Sequence, residues 1–404
     1  MSPGIAIFPW GDVIEDYLRP IGLTVFDFAE QMTGGWLFGY VAALRLAGWA
    51  PLIVASSDCV TEVTRLTHAA SRTPITLVPG RSSEAIRGSN RRALSRWRRE
   101  PVAAFRQLLA AERVQALLIQ EYEHPRFDRL VRLAARLRVP AYATFQGGDR
   151  TLSRVEGLVR ARSLRLSAGL IIAASAERER VRSSYGAPPP IASLPNPLDG
   201  EEWRAIPRAE ARQALGLDPD AFIAINHGRI DIGRKGLDVL LAAWRPPGQL
   251  VVIGSGQDRE RFGRMVEGRA DVRWIDGYTN DRPLLRRWLS AADLYVSASR
   301  VEGMPVAPLE AMACGLPVIA SDAQGLSDIL GSDERSGGIL VPRDDLASLA
   351  AAIARLRDDP GLRHALGRAA RAHVERCFSI EAVAAGLKAF LPPPSPVPRS
   401  ADAK

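Results

Sequence analysis

Two buried strands joined by a helix that starts on prolines leave a chain few ways to fold, and residues 292–322 spell out such a unit. The run Ala292-Asp293-Leu294-Tyr295-Val296 reads as one strand and Pro317-Val318-Ile319-Ala320 as the next. Between them lies the loop and helix of Ser299–Asp322, SRVEGMPVAPLEAMACGLPVIASD. Pro305 and Pro308 fit the first turn of a helix and are excluded further in, so the helix begins near Val306 or Ala307. Leu309, Met312 and Ala313 continue its apolar face, and Gly315 with Pro317 ends it.

The start of that helix offers free N–H groups and the positive end of its dipole, a ready site for an anion such as phosphate. Glu302 in the preceding loop and Glu310 on the helix frame it. A carboxylate on either side of a bound phosphate can hold the hydroxyls of whatever the phosphate carries. Two solvated glutamates beside a helix would look the same, so this stretch alone leaves both readings open.

The alternation of short apolar strands and amphipathic helices runs through the whole chain. In the first half Ile5–Phe8, Leu52–Ala55, Thr76–Pro79, Val114–Ile119, Ala141–Phe145 and Leu170–Ala174 read as strands, with helical segments such as Trp36–Leu46 and Phe127–Leu137 between them. This predicts an α/β fold with parallel sheets, whose ligands sit at the carboxyl ends of the strands. The turn-rich Leu194-Pro195-Asn196-Pro197-Leu198-Asp199-Gly200 is the expected linker, and at 404 residues two domains are expected. In the second half Phe222–Asn226, Leu250–Gly254 and Val272–Ile275 restart the pattern. Residues 337–342 read as a closing edge strand, and helices are expected at about 344–357, 361–375 and 379–390. The proline-rich tail reads as disordered.

Several strand ends carry polar groups suited to chemistry. His227-Gly228-Arg229 follows one strand and Lys235-Gly236 opens the next helix, which places a forked donor and a compact point charge where a diphosphate needs them. The chain has only three lysines, Lys235, Lys388 and Lys404. Arginine is evidently the habit, and Lys235 is the more informative for it. The strand ending Ile253-Gly254-Ser255-Gly256 lacks the full GxGxxG pattern, so a dinucleotide fingerprint is not supported. In the first half Thr33-Gly34-Gly35, Gln120-Glu121-Tyr122-Glu123-His124 and Gln146-Gly147-Gly148 occupy such loops. Glu121 is the better candidate for a proton acceptor or hydroxyl ligand. His124, lying before a proline, ranks below it as a structural histidine.

Charge is unevenly spread. Residues 1–195 carry 26 arginines and 17 acids, whereas the remainder has 27 basic and 28 acidic residues. The densest run, RSSEAIRGSNRRALSRWRR at 81–99, interleaves Leu94 and Trp97 with Arg91, Arg92, Arg96, Arg98 and Arg99. A solvated helix, an anionic membrane surface and nucleic acid are its three readings. The last lacks any recognisable nucleic-acid motif, so no nucleic-acid partner is expected. With no apolar run of membrane-spanning length, no secretion signal and three scattered cysteines, Cys59, Cys314 and Cys377, the expected location is the cytoplasm, peripheral to a membrane's inner face.

Taken in order, these motifs resemble the GT-B glycosyltransferases, specifically retaining family four. The Glu-x7-Glu pattern is met by Glu302 and Glu310, and the Gly-Arg…Lys-Gly element by Gly228-Arg229 and Lys235-Gly236. The strand ending at Gly254, the Asp276-Gly277-Tyr278 loop and Asn196-Pro197-Leu198-Asp199 extend the resemblance over residues 195–390. It implies two Rossmann-like, doubly wound domains facing across a cleft: an acceptor domain over 1–197 and a nucleotide-sugar domain over 198–376. A helix over 377–391 would cross back to the first domain, before a tail over 392–404.

The donor would be held by Gly228, Arg229, Lys235 and Gly254, by Tyr278, and by Glu302, Gly303, Met304, Val306 and Glu310. Glu310 would grip the ribose and Glu302 the sugar or its phosphate side. Arg229 and Lys235 would stabilise the departing diphosphate. Gly34, Gly35, Glu121, His124 and Gln146 would face the acceptor, with Glu121 the catalytic candidate there. The resemblance implies retention of anomeric configuration, a nucleotide diphosphate sugar as donor substrate, a sugar, lipid-linked or small-molecule acceptor and no obligatory metal.

The sequence departs from the family in four places. Gly-Met-Pro stands for Gly-Phe-Gly after Glu302, and Asn-Pro for Asn-Gly at the hinge. Gln120 and Glu121 occupy a position where His or Asp is common, and Gln146 replaces a frequent His. A nucleotide-sugar epimerase of the same fold, a nucleic-acid-binding protein and a non-catalytic partner of another transferase remain the alternatives.

Overall fold

The computed structural model describes residues 2–19, 22–30, 32, 35–82, 89–147, 152–277 and 281–391. The chain divides into two compact units, Met1–Leu194 with Val383–Lys404, and Pro195–Ala382.

The first unit is built on eight strands: β1 (Gly4–Phe8), β2 (Ala50–Ser57), β3 (Thr64–Thr67), β4 (Pro74–Pro79), β5 (Val114–Ile119), β6 (Ala141–Thr144), β7 (Gly169–Ile171) and β8 (Ile191–Ala192). Their order is β3-β4-β2-β1-β5-β6-β7-β8. All pairings are parallel except that of β3 with β4. The central strands are continuous apolar runs because helices cover both faces. The chain changes direction across the sheet at β1, which lies between β2 and β5, so the crevice above that point belongs to the loops after β1 and β5.

Against one face of this sheet lie the helices Ser89–Arg99, Pro125–Leu137 and Arg154–Leu166, which touch one another. A single buried carboxylate ties them together. Asp128 accepts from Arg160 Nε at 2.9 Å and Nη2 at 3.0 Å, and from Trp97 Nε1 at 3.1 Å. The last turns of the helix Ile380–Phe390 also pack on this unit, with Phe390 set edge-on to Tyr142, ring centroids 5.7 Å apart.

The second unit has six strands: β9 (Ile223–His227), β10 (Gln249–Ile253), β11 (Val272–Ile275), β12 (Leu294–Ser297), β13 (Val318–Ser321) and β14 (Gly338–Val341). They are ordered β11-β10-β9-β12-β13-β14 and all parallel, with β14 the edge strand that residues 337–342 predict. Here the change of direction falls at β9, between β10 and β12. The predicted helix after β12 spans Val306–Ala313, and Leu346–Asp358, Pro360–Cys377 and Ile380–Phe390 close the chain.

Candidate active site

In the second unit the loops at the carboxyl ends of β9, β10 and β12 converge, and two glycines make the convergence possible. Gly236 has φ +59°, and a Cβ there would lie 1.9 Å from the carbonyl oxygen of Ala298, just past β12. Gly254 has φ +144°, and its Cβ would lie 1.9 Å from the oxygen of Gly228. No side chain larger than hydrogen fits either approach. The loop of Lys235 is thereby pressed onto the end of β12, and the loop of Gly228 onto the end of β10. Backbone bonds from Arg300 N and Ile230 N, to Arg234 O at 2.8 Å and Ser255 O at 3.0 Å, complete the seam.

The charged groups meet at this seam. Lys235 Nζ donates to Glu302 Oε1 at 2.6 Å, and Ser299 Oγ donates to the same oxygen at 2.7 Å. Ser321 Oγ in turn donates to the carbonyl of Ser299. Five residues on from Pro305, with no side chain capping the helix start, Glu310 accepts from His227 Nε2 at 2.8 Å. A carboxylate accepts, so Nε2 carries the hydrogen, while His227 Nδ1 is buried with no partner among the described residues. Tyr295 holds the histidine from beneath, its hydroxyl donating to the His227 carbonyl at 3.3 Å and its ring 5.5 Å from the imidazole. Asn196, the hinge asparagine, donates to the Met304 carbonyl at 3.4 Å and fixes the loop behind Gly303. Met304 and Gly303 are buried, Val306 half-buried, and Arg229 is exposed beside Gly256.

Of the donor-side residues read from sequence, the structure therefore brings Lys235, Glu302, Gly303, Met304 and the start of the helix at Val306 together. Glu310 lies on the same helix, and Gly228 lies against Gly254. Tyr278 lies outside the described residues. One expectation is modified: Lys235 is not an unpaired cation waiting for a diphosphate but is already neutralised by Glu302. The roles of His227 and Ser299 were missed by sequence reasoning. Each is a common residue at a strand end, and its partner lies 83 residues away for His227 and 3 for Ser299.

The acceptor-side candidates belong to the first unit. Glu121, just past β5, adopts φ +65°, an uncommon conformation for a residue with a side chain. Its buried carboxyl accepts from the backbone N–H of Glu123 at 3.1 Å and of Gln146 at 3.0 Å. Burial, reinforced by the charge of Glu123, pushes it up to about 7, against the pull of those two N–H groups. Gln146 also donates from Nε2 to Thr144 at 3.2 Å. His124 caps the helix Pro125–Leu137, Nδ1 accepting from Arg126 N at 3.3 Å, with Nε2 3.4 Å from Asp12. That is the structural histidine its place before a proline suggests. Gly35 begins the helix Gly35–Leu46; Thr33, Gly34 and Gly148 lie outside the described residues.

The basic run is only partly outward-facing. Arg91, Leu94, Arg98 and Arg99 are exposed, whereas Arg96 turns in to Asp12 at 2.9 Å and Trp97 to Asp128. No helix among the described residues is long and apolar enough to cross a membrane.

Residues 207–373 match the family described as Glycosyl transferases group 1. Over 219 residues the chain is 31% identical to a GDP-mannose-dependent monoacylated alpha-(1-6)-phosphatidylinositol monomannoside mannosyltransferase of Corynebacterium glutamicum, covering 50% of this chain and 56% of that one. Over 227 residues it is 36% identical to a D-inositol 3-phosphate glycosyltransferase of Streptomyces bingchenggensis, covering 51% and 49%. The chain thus spans about half the length of the curated relatives it matches. Its fold is similar throughout to that of a sucrose-phosphate synthase from Thermosynechococcus elongatus, with a TM-score of 0.73 at 22% identity over 96% of this chain and 98% of that one.

Proposed function

Since residues 207–373 belong to the glycosyl transferases group 1 family, on a chain with the GT-B fold, we propose that the protein transfers a hexose-type sugar from a nucleotide diphosphate sugar to an acceptor hydroxyl. The observation that carries this reading is the meeting of Lys235, Glu302 and the uncapped helix start at Val306 in one crevice, with Glu310 on the next turn.

In this proposal the donor diphosphate lies against the free N–H groups of the helix start, where the dipole favours negative charge. Arg229 swings in from its exposed position, and Lys235 exchanges Glu302 for a phosphate oxygen as negative charge builds on the leaving group. Released from the lysine, the Glu302 carboxylate is available to the sugar hydroxyls, and Glu310 to the ribose. Preorganised charge of this kind is commonly a dominant part of catalysis, one oriented donor contributing about 3–4 kcal/mol. The anomeric configuration is retained, and Glu121 serves the acceptor side together with Gln146. The acceptor is a sugar, a lipid-linked group or a small molecule, reached by a chain that sits peripherally on an anionic membrane surface through the arginines of 91–99.

Two variants test the assignment. Glu310→Ala is expected to raise the donor KM about tenfold with little change in kcat. Lys235→Ala is expected to lower kcat by about 100-fold or more, the size of effect seen on removing one oriented charge. Transfer to acceptor, followed by NMR of the anomeric proton, reads both activity and stereochemistry. Isomerised donor accumulating with no transfer, or unchanged kinetics in both variants, would rule the proposal out.

A further inference from the structure

The helix Arg154–Leu166 turns an unusual face to solvent. Val155, Leu158 and Leu166 are 57%, 67% and 50% exposed. Spaced three and eight residues apart, they line one side of the helix. Arg154, Arg162 and Arg165 are exposed beside them. The opposite side is fully engaged: Arg160 is buried on Asp128, and Glu156 is buried in a capping box with Ser153. Glu156 is the sole acid in this helix, and the neighbouring helix Ser89–Arg99 contains none. Those two helices lie against each other, held in register by Asp128, which takes Trp97 from one and Arg160 from the other. Arg91, Leu94 and Arg98 of the neighbour are exposed too, Leu94 at 46%.

We infer that the outer face of Arg154–Leu166 is the part of the molecule that enters an anionic lipid surface, its aliphatic side chains inserting while the arginines of both helices pair with headgroups. The inference rests on the membrane association proposed above and relocates its apolar component. Trp97, the one aromatic side chain of the basic run, faces inward and is spoken for. Apart from Leu94, the aliphatic groups that could leave water are instead on a helix some 60 residues further along the sequence, as Leu158 is from Arg98. Charge selects the occupant. Six exposed arginines, Arg91, Arg98, Arg99, Arg154, Arg162 and Arg165, with no exposed acid on either helix complement a negatively charged bilayer and disfavour a second copy of the same face, which would set arginine against arginine. Lipid headgroups also suit the mixture chemically, because phosphates take the guanidinium forks while acyl chains take Val and Leu.

The test is co-sedimentation of the full chain with vesicles of phosphatidylcholine alone or mixed with phosphatidylglycerol. Wild type is expected to pellet with the mixed vesicles only. The triple variant Val155→Ser, Leu158→Ser, Leu166→Ser is expected to lose at least tenfold in partitioning with its melting temperature unchanged, since all three side chains are exposed. Arg154→Gln, Arg162→Gln, Arg165→Gln is expected to lose more, as each basic group near such a surface is worth roughly fivefold. Failure of wild type to bind mixed vesicles would remove membrane association itself. If wild type binds and the serine variant pellets equally well, association stands and this face is not its anchor. A wild-type dimer in light scattering that the serine variant abolishes would also overturn the inference in favour of a second copy.

Discussion

At His227 the Nε2 hydrogen is committed to Glu310 while the ring's other nitrogen is buried without a partner among the described residues. The pair fixes the carboxylate that our reading assigns to the donor ribose, so His227 acts as a positioning residue. Gln places its amide nitrogen where Nε2 stands; Leu fills the space and donates nothing. His227→Gln is therefore expected to bind donor within about threefold of wild type, and His227→Leu about tenfold more weakly, the size of one hydrogen bond to a charged group. Equal affinities for the two variants in titration calorimetry would show that the pair does not matter. Glu121 makes a prediction of a different kind. Its folded pKa of about 7 lies above the ordinary glutamate value, so the native state holds the proton more tightly than the unfolded chain. Its contribution to stability is fully present below about pH 4 and is lost as the pH rises through 7. Glu121→Gln mimics the protonated form, and its unfolding free energy is expected to fall less than that of wild type between pH 5 and 8, by on the order of 3 kcal/mol. Parallel pH profiles from urea unfolding would contradict this.

Among the elements, the three helices joined at Asp128 form the least forgiving arrangement. Arg160 is completely buried, and removing its partner leaves a charge with no counterion in a dry interior. Asp128→Ala is expected to destabilise the first unit by about 3–5 kcal/mol and to shift Trp97 fluorescence, both read in one denaturant titration. Trp97 emission that is unmoved, with stability intact, would argue against the shared node. The shared node was not legible in the sequence: the arginines of Ser89–Arg99 gather on one side of the helix, opposite Ala93 and Trp97, and only the tertiary structure decides that Arg96, at the edge of that arc, turns in to Asp12 and that Trp97 meets Asp128. The same limit applies to the strands. β5, β12 and β13, buried on both faces, announce themselves as apolar runs. β3, with its alternating half-exposed pattern, and β8, with two residues, do not. In the candidate site the spacing of Glu302 and Glu310 and the rarity of lysine were enough to select the loop–helix start and Lys235. The Lys235–Glu302 pair itself required Gly236 to bring two strand ends within contact, which no local pattern encodes.

Across the whole molecule the two units differ in charge. The excess of arginine lies entirely in residues 1–195, and the second unit, nearly neutral, carries at the ends of β9 and β12 the charges our reading assigns to the donor. Everything proposed for the second unit requires that its site take a nucleoside diphosphate carrying a sugar. The most direct measurement is thermal denaturation of the full chain against UDP-, GDP-, ADP- and dTDP-sugars, with Glu310→Ala and Lys235→Ala beside wild type. At 100 times its dissociation constant one ligand adds about 2.7 kcal/mol of apparent stability, a shift of a few degrees for a chain of this size. We predict that one nucleotide class stabilises wild type and that this shift shrinks in Glu310→Ala. No stabilisation by any of the four, or a shift that Glu310→Ala leaves intact, would contradict the account.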